Sequence, residues 1–245
     1  MAEFTMEIAG HAAQVTSLFE STPHQFSRYL TDREPDFSIT VTTEDLIFEQ
    51  RELDDEARAE GFKLRRFTDP FLERAAIQRK FAEYLLDQGT LLLHGSTVAV
   101  DGKAYLFAAR SGTGKSTHTR LWMEVFGSRA VMINDDKPFL QITDSGVLAH
   151  GSPWSGKHGL DTNTAVPLAG ICLLERGAKN VIRAASSGEM LPMLLHESYA
   201  PQDPNRMDTY YILVDTLAKT VPLWQMYCNR DPEAAIVAHS AMSRT

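Results

Sequence analysis

Cysteine is scarce in this chain. Only two of its 245 residues are cysteines, and neither Cys172 nor Cys228 belongs to a spacing that is typical of a metal site. A cysteine-based metal site is therefore not expected, and both thiols should be buried. This use of cysteine is typical of cytoplasmic proteins, in which thiols stay reduced.

Long hydrophobic runs and an excess of positive charge are lacking too. No apolar stretch approaches the roughly 20 residues that cross a bilayer, and residues 1–4 do not begin a signal-peptide pattern. The chain has 24 Lys and Arg against 32 Asp and Glu, a formal net charge of −8. Because such a chain offers no basic stripe for nucleic-acid phosphates, we do not expect a nucleic-acid partner. Because it has no apolar run of membrane-spanning length, we do not expect a membrane either.

A glycine loop stands out against this ordinary background. An apolar run at residues 105–108 is followed by Ala-Arg-Ser-Gly-Thr-Gly-Lys-Ser-Thr at residues 109–117, and then by helical periodicity. The order strand, glycine loop, helix is typical of a P-loop, or Walker A motif. Gly112 and Gly114 can take backbone angles closed to other residues, so that successive N–H groups turn towards an anion. We call residues 109–117 the glycine loop.

The glycine loop predicts a nucleotide-binding site. The helix that begins near Lys115 adds unpaired amides and the positive end of its dipole, and Ser116 has the position of a Mg²⁺ ligand. Ala109 replaces the first glycine of the strict pattern. An ordinary turn before a helix is the alternative, but the two glycines, the lysine and the hydroxyl all have the required spacing. The residues predicted to bind the nucleotide are Arg110, Ser111, Gly112, Thr113, Gly114, Lys115, Ser116 and Thr117.

Two adjacent carboxylates follow the next apolar run. Residues 130–133 predict a buried strand, and Asp135 and Asp136 come at its end. This is where a Walker-B-like metal site belongs. Tandem residues point to opposite faces of a continuing strand, so one carboxylate can bind Mg²⁺ and the other can accept a proton. An acidic turn before Pro138 is the alternative, and the position after a P-loop favours the functional interpretation.

The segment before the glycine loop predicts an unusual sheet. Asp101-Gly102 between two apolar runs is typical of a β-hairpin. The strand before the glycine loop should therefore be the second arm of an antiparallel hairpin, with His94 near its start, whereas ordinary P-loop proteins place this strand in a parallel sheet. Further on, Lys157 lies in a glycine-rich loop, residues 151–159, and is a candidate second cation for the phosphates; a plain exposed lysine is the alternative.

The remaining patterns predict an α/β fold with mixed, largely antiparallel sheets around the P-loop. Residues 1–89 should form an N-terminal β-rich segment plus a linking helix, and residues 90–245 the core that carries the P-loop. Strands are predicted at residues 37–41, 46–48, 62–64, 166–174 and 221–226 and as a pair over 139–147, with a solvated turn at 54–56. Helices are predicted from Asp69-Pro70 to Gln88-Gly89, at 116–126, 188–196 and 208–217, and after Asp231-Pro232.

Four features occur in one order at close spacing: His94-Gly95, the Asp-Gly hairpin, the glycine loop and Asp135-Asp136. Together they resemble the nucleotide-binding core shared by HPr kinase/phosphorylase and ATP-dependent phosphoenolpyruvate carboxykinase. The resemblance covers residues 91–140 and, less fully, the rest of the chain, but not residues 1–68. It implies the C-terminal-domain fold of these enzymes, with ATP and Mg²⁺ as cofactors.

The resemblance also implies roles for individual residues. Lys115 and the loop amides would hold the phosphates, and Ser116 and Asp135 would bind Mg²⁺. Asp136, or Asp135, would be the catalytic base, with His94 beside the metal and phosphates. The proline-arginine-glycine loop of the HPr kinases is absent, as are the carboxylate-binding arginines of the carboxykinases, for which only Lys157 and Arg183 can be nominated.

The sequence therefore predicts an ATP-dependent kinase that transfers the γ-phosphoryl group to a hydroxyl, on a protein serine or on a small molecule. Two alternatives remain: phosphoryl transfer of the carboxykinase type, and a non-catalytic nucleotide-binding regulator, against which the Asp135-Asp136 pair argues. ATP is not distinguished from GTP or pyrophosphate as donor. The resemblance also points to a homo-oligomer.

Overall fold

The computed structural model describes residues 1–110 and 112–244. The chain divides into two compact units, Met1–Tyr84 and Leu85–Thr245. The assignment of residues 1–89 and 90–245 to separate domains stays a prediction.

The N-terminal unit contains a three-stranded sheet in the order β1-β2-β3 within the described residues. Strands β1 and β2 form an antiparallel hairpin, and β3 pairs parallel with β2. The predicted strand at residues 37–41 is confirmed as β3, and the predicted helix from Asp69 is confirmed as α3. The elements are β1 (Ala2–Ile8), β2 (His11–Ser17), α1 (Thr22–Gln25), β3 (Phe37–Thr40), α2 (Thr43–Glu60) and α3 (Asp69–Leu86).

Helix α2 corrects the prediction for this part of the chain. The predicted strand at residues 46–48 and the predicted turn at 54–56 both lie inside α2, and residues 62–64 belong to no strand. A capping box starts the helix: the Thr42 hydroxyl accepts from the Asp45 amide, and the Asp45 carboxylate accepts from the Thr42 amide. This cap and the ion pair of Asp45 with Arg79 on α3, at 2.8 Å, outweigh the local strand propensity.

The C-terminal unit is built on one nine-stranded sheet in its described residues. Its main path has the order β4-β8-β9-β10-β6-β5-β7, while β12 pairs with β10 and β11 pairs with β12. The strands are β4 (Thr90–Leu92), β5 (Ser96–Val100), β6 (Lys103–Ala108), β7 (Ala130–Asn134), β8 (Phe139–Thr143), β9 (Gly146–His150), β10 (Ala165–Arg176), β11 (Val181–Ala184) and β12 (Leu223–Cys228). The helices are α4 (Lys115–Phe126), α5 (Ser187–Glu197), α6 (Met207–Thr220) and α7 (Glu233–Met242).

The predicted hairpin before the glycine loop is confirmed. Strands β5 and β6 pair antiparallel around Asp101 and Gly102, which have φ angles of 52° and 78°. On its other edge β6 pairs parallel with β10, a contact that the sequence pattern did not predict. Antiparallel pairing predominates in the large sheet, and β10 makes parallel pairs with β6 and β12. The fold is α/β with a mixed, largely antiparallel sheet, as predicted.

Helices cover both faces of this sheet. Along β6, Leu106 belongs to a core cluster that includes residues of α5 and α6. Its neighbours Tyr105 and Phe107 belong to a second cluster with residues of α4 and α7. Since successive side chains of a strand point to opposite faces, α4 lies on the face opposite α5. Trp122 of α4 is fully buried and packs 4.9 Å from the Tyr105 ring, which fixes the helix that follows the glycine loop.

Candidate active site

The glycine loop connects β6 to α4 and turns through left-handed backbone. Gly112 has a φ of 73° and Gly114 a φ of 125°, conformations that residues with a Cβ rarely adopt. Arg176 at the end of β10 donates a hydrogen bond from Nη2 to the Gly112 carbonyl at 2.6 Å. In the described part of the chain, no side chain caps the first turn of α4, so its amides are available to an anion. Ser111 was predicted to bind the nucleotide and lies outside the described residues.

Lys115 is the first residue of α4, and its side chain folds back along the glycine loop. Its Nζ donates to the Ala109 carbonyl at 3.1 Å. Partial burial lowers the pKa of Lys115, and the nearby carboxylates of Glu197 and Asp136 oppose that shift without cancelling it. The ammonium group therefore contacts the glycine loop and is close enough to two carboxylates for them to influence its pKa.

Asp135 is held by the neighbouring strand and by α4. Its carboxylate is 7% exposed, and Oδ1 accepts from the Ser96 hydroxyl at 2.7 Å. The Ser96 hydroxyl also lies 2.7 Å from the Thr119 hydroxyl, one turn along α4 from Ser116. The chain of contacts from Asp135 through Ser96 to Thr119 links the end of β7 to the helix that carries the predicted Mg²⁺ ligand.

His94 lies between two carboxylates. Its Nε2 is 3.3 Å from Asp136 Oδ1, and its Nδ1 is 3.0 Å from Glu197 Oε2. The backbone fixes both neighbours: the His94 amide donates to the Glu197 carbonyl at 2.7 Å, and the Gly95 amide donates to the Asp136 carbonyl at 2.9 Å. Glu197, the last residue of α5, is 7% exposed. The sequence pattern did not single it out, because nothing local links it to a histidine about a hundred positions earlier.

The charges of these three residues support one another. Burial disfavours the charged form of His94, but the close contacts with the carboxylates of Asp136 and Glu197 outweigh it and raise the pKa of His94. Burial likewise opposes ionisation of Asp136 and Glu197, and His94 more than compensates, so that the pKa of each carboxyl is lowered. The arrangement favours an imidazolium with an ionised carboxylate on each side.

Replacing Glu197 with glutamine is expected to destabilise the protein in a pH-dependent way. The pKa of His94 is raised from its ordinary 6.5, so its contribution is complete below pH 6.5 and lost as the pH rises through the folded value. The pKa of Glu197 is lowered from 4.5, so its contribution is complete above pH 4.5 and lost as the pH falls through the folded value. The substitution should therefore lower the free energy of unfolding most near pH 5.5, by about 1–3 kcal/mol for a partly exposed pair.

Urea unfolding at pH 5.5 and pH 9 measures this difference. The E197Q variant should lose more stability at pH 5.5 than at pH 9. The matched control is Asp215→Asn, which removes an exposed carboxylate of α6 that pairs with Lys219 and should change stability little at either pH. If E197Q lost the same free energy of unfolding at the two pH values, the charges of His94 and Glu197 would not be coupled.

The loop at residues 151–159 is fastened to the acidic pair. Asn134 Nδ2 donates to the Ser152 carbonyl at 2.9 Å, and the Ser152 hydroxyl donates to the Lys137 carbonyl at 2.6 Å. Gly156 has a φ of 65°, and a Cβ there would lie 3.4 Å from the Asp136 Cβ. The loop therefore runs against Asp136, and it carries Lys157 to the site.

One cavity of about 360 Å³ brings most of the predicted site residues together. Thr113 is not among the residues that line it, and the lining includes Arg120 and His158, which the sequence pattern did not single out. Arg120 and His158 are exposed, and only the fold brings them to the site. The predicted residues at this cavity are His94, Arg110, Gly112, Gly114, Lys115, Ser116, Thr117, Asp135, Asp136 and Lys157.

Magnesium chemistry fits the donors at this cavity. Among the described residues, no three His, Cys, Asp or Glu side chains form a metal-binding group. A Mg²⁺ ion does not need one, because it commonly takes one or two protein oxygens and completes its shell with water and substrate phosphates. The Ser116 hydroxyl and the Asp135 carboxylate, whose residues line the same cavity, could supply those oxygens.

A second cavity of about 430 Å³ lies beside the glycine loop. Thr113, Gly114 and Thr117 line it together with His118, Leu174, Arg176, Gly177 and residues 228–230. His118 is 2% exposed, and burial lowers the pKa of His118 to about 4. Gly114 and Thr117 line both cavities, so the glycine loop borders each of them.

Arg183 does not belong to either cavity. It lies on the exposed strand β11, where its Nη2 is 2.9 Å from Glu189 Oε1, and it also donates to Gln225. Lys157 lines the cavity at the glycine loop without Arg183, and the nomination of both as a carboxylate-binding pocket stays a prediction.

Comparison with known proteins adds little to this geometry. No protein-family model matches the chain, and no curated protein matches it. Among solved structures, the chain is similar to the Hpr(Ser) kinase/phosphatase from Coxiella burnetii, with 10% sequence identity and a TM-score of 0.38. That match covers 62% of this chain and 97% of the other. None of the helices in the described residues is long and apolar enough to cross a membrane.

Proposed function

We propose that this protein is an ATP-dependent kinase of the HPr kinase-like type, which transfers the γ-phosphoryl group to a hydroxyl of a protein serine or a small molecule. One observation carries the proposal: Lys115 and the glycine loop share a cavity with Asp135 and Asp136. Phosphoryl transfer depends on positioning and on stabilising the charge of the transferred group more than on covalent chemistry. A cavity that combines loop amides, a cation and carboxylates meets both needs.

The glycine loop and Lys115 would hold the phosphates. The first amides of α4 and the left-handed turns at Gly112 and Gly114 present N–H groups to an anion. Ser116 and Asp135 would hold Mg²⁺, which supplies further neutralisation of phosphate charge. The second cavity begins at the same loop, so a nucleoside attached to these phosphates could occupy it. This favours a nucleotide over pyrophosphate as the donor.

Asp136 would accept the proton of the acceptor hydroxyl. His94 Nε2 contacts Oδ1 of Asp136, which fixes the orientation of the carboxylate and leaves Oδ2 for the hydroxyl. Because the pKa of Asp136 is lowered, the carboxylate is ionised at neutral pH. A weak base suffices here, since the transition state of phosphoryl transfer is loose and depends chiefly on charge stabilisation. Glu197 would act through His94 as a positioning residue.

The first experiment is a search for the acceptor. The full chain is incubated with γ-labelled ATP, Mg²⁺ and a cell extract, and label is followed on protein gels and on metabolite chromatograms. Transfer to a protein band or to a metabolite supports the kinase. Binding of ATP that raises the melting temperature without any transfer would instead favour a nucleotide-binding regulator. A chain that neither binds ATP nor transfers label would overturn the proposal.

A further inference from the structure

Arg176 holds a peptide group of the glycine loop. Its Nη2 donates to the Gly112 carbonyl at 2.6 Å. The N–H of the same peptide group, on Thr113, donates to the Arg110 carbonyl at 3.0 Å. The hydrogen bond from Arg176 is charge-assisted, and such bonds are stronger than those between neutral groups. Both polar ends of the Gly112–Thr113 peptide group are therefore engaged.

Little else restrains the loop at this point. Gly112 is exposed, and a Cβ there would have no atom of the described residues within 4 Å apart from its chain neighbours. Its φ of 73° is one of several conformations that glycine adopts at little cost. Because a peptide group beside such a residue rotates easily, its orientation depends on the hydrogen bonds that hold it, and Arg176 makes one of the two.

The backbone that carries Arg176 is fixed. Arg176 is the last residue of β10 and pairs with Cys228 of β12. The amide of Gly177 donates to the Cys228 carbonyl at 2.9 Å, and a Cβ on Gly177 would lie only 2.9 Å from the Tyr227 Cβ. Strand β10 also pairs with β6 as far as Ala108, directly before the glycine loop. The sheet therefore places the Arg176 backbone beside the loop.

We propose that Arg176 is a positioning residue of the phosphate site, which holds the Gly112–Thr113 peptide group in the orientation that phosphate binding requires. This inference rests on the proposed function, because it concerns the anion at the glycine loop. Gly112 lines the cavity of about 360 Å³, and a carbonyl oxygen that turned into this cavity would repel a phosphate. While the oxygen accepts from Arg176, which lines the second cavity instead, it is not free to turn towards the phosphate.

Calorimetry with two ligands tests this role. The dissociation constants of Mg·ATP and Mg·tripolyphosphate are measured for the full-length wild type, Arg176→Met and Arg176→Lys, with circular dichroism to show that each variant is folded. Methionine removes the donor, so both affinities should fall by the same factor, about 3- to 10-fold, the equivalent of one hydrogen bond. Lysine keeps the charge and a donor but not the planar fork, and should recover part of the loss.

A second measurement needs no ligand. NMR follows the exchange of the Thr113 amide with solvent in the ligand-free protein. This exchange should be faster in R176M than in the wild type, because the peptide group has lost the bond at its carbonyl end. Lys179→Met is the matched control: Lys179 is exposed and belongs to the lining of neither cavity. K179M removes a nearby positive charge and should change neither the exchange nor the affinities.

The possible outcomes separate this inference from the proposed function. If the wild type binds neither ligand, the proposed function fails. If the wild type binds both but R176M keeps both affinities, or loses affinity for ATP alone, the role of Arg176 in positioning the loop for phosphates is overturned. An equal loss in K179M would assign the effect to charge in general and overturn it too. Should R176M fail to fold, R176K decides: wild-type affinities and wild-type Thr113 exchange in R176K would overturn the inference.

Discussion

Lys115→Ala is expected to slow phosphoryl transfer by about 100-fold or more, as removal of one preorganised charge-stabilising group does in other enzymes. The lysine lies at the start of α4, with its Nζ bonded to the Ala109 carbonyl and with Glu197 and Asp136 close enough to influence its pKa. With alanine at position 115, the ammonium group would no longer offset the repulsion between the phosphates and those two carboxylates. Both the rate and the affinity for ATP should therefore fall.

Steady-state kinetics and calorimetry on the purified variant check this expectation, with circular dichroism to show that K115A is folded. Lys103→Ala is the matched control, because Lys103 is an exposed lysine at the other end of β6. It should keep wild-type kinetics. Full turnover and unchanged nucleotide affinity in folded K115A would rule out a phosphate-binding role for the glycine loop.

The parts of the site that the sequence predicted are those encoded locally. The glycine loop, the Asp101-Gly102 hairpin and the Asp135-Asp136 pair each depend on residues a few positions apart. The structure brings the glycine loop and the acidic pair to one cavity, whereas the Asp101-Gly102 turn lies at the other end of β6. The tandem carboxylates were expected to point to opposite faces of a continuing strand. Strand β7 ends at Asn134, and both carboxylates line one cavity, where Asp135 is bonded by Ser96 and Asp136 is contacted by His94. The roles of these residues, and a homo-oligomeric assembly, stay predictions.

Features that depend on distant contacts were missed. Glu197 becomes a partner of His94 only because α5 ends beside β4, where the Leu93 and Ser198 backbones form a bridge. The bond from Arg176 to the Gly112 carbonyl joins residues 64 positions apart, which the pairing of β10 with β6 brings together. Helix α2 was misread because its apolar triplet at residues 46–48 favours a strand locally, whereas the cap at Thr42 and the contacts with Arg79 favour a helix. Strand β11 was missed because it is short and largely exposed.

The contacts of Asp136 indicate how it can be a base although His94 stabilises its charge. A carboxylate paired with an imidazolium is a weaker base, and its lowered pKa reflects this. The same pairing keeps Oδ1 occupied and the carboxylate plane fixed. Since an oriented acceptor can contribute more than intrinsic basicity when the transition state is loose, the arrangement favours orientation over proton affinity.

Asp136→Asn is therefore expected to lower the rate of phosphoryl transfer by about 10²- to 10⁴-fold, the range typical of removing a general base. The asparagine amide cannot take the hydroxyl proton. The substitution also removes the negative charge that His94 contacts. Affinity for ATP should stay within a few-fold of the wild type, because Lys115 and the glycine loop are unchanged. Single-turnover measurements with labelled ATP separate the chemical step from binding.

Asp135→Asn gives the matched comparison at the adjacent residue. If Asp135 binds Mg²⁺, this variant should need a higher Mg²⁺ concentration for half-maximal rate, and excess Mg²⁺ should recover part of its activity. D136N should not be rescued by Mg²⁺, since its loss lies in proton transfer. If excess Mg²⁺ rescued D136N and had no effect on D135N, Asp136 would be the Mg²⁺ ligand and Asp135 the base. Near-normal turnover by folded D136N and D135N alike would show that neither carboxylate acts in the reaction, because phosphoryl transfer would then proceed without the proposed base and without the proposed metal ligand.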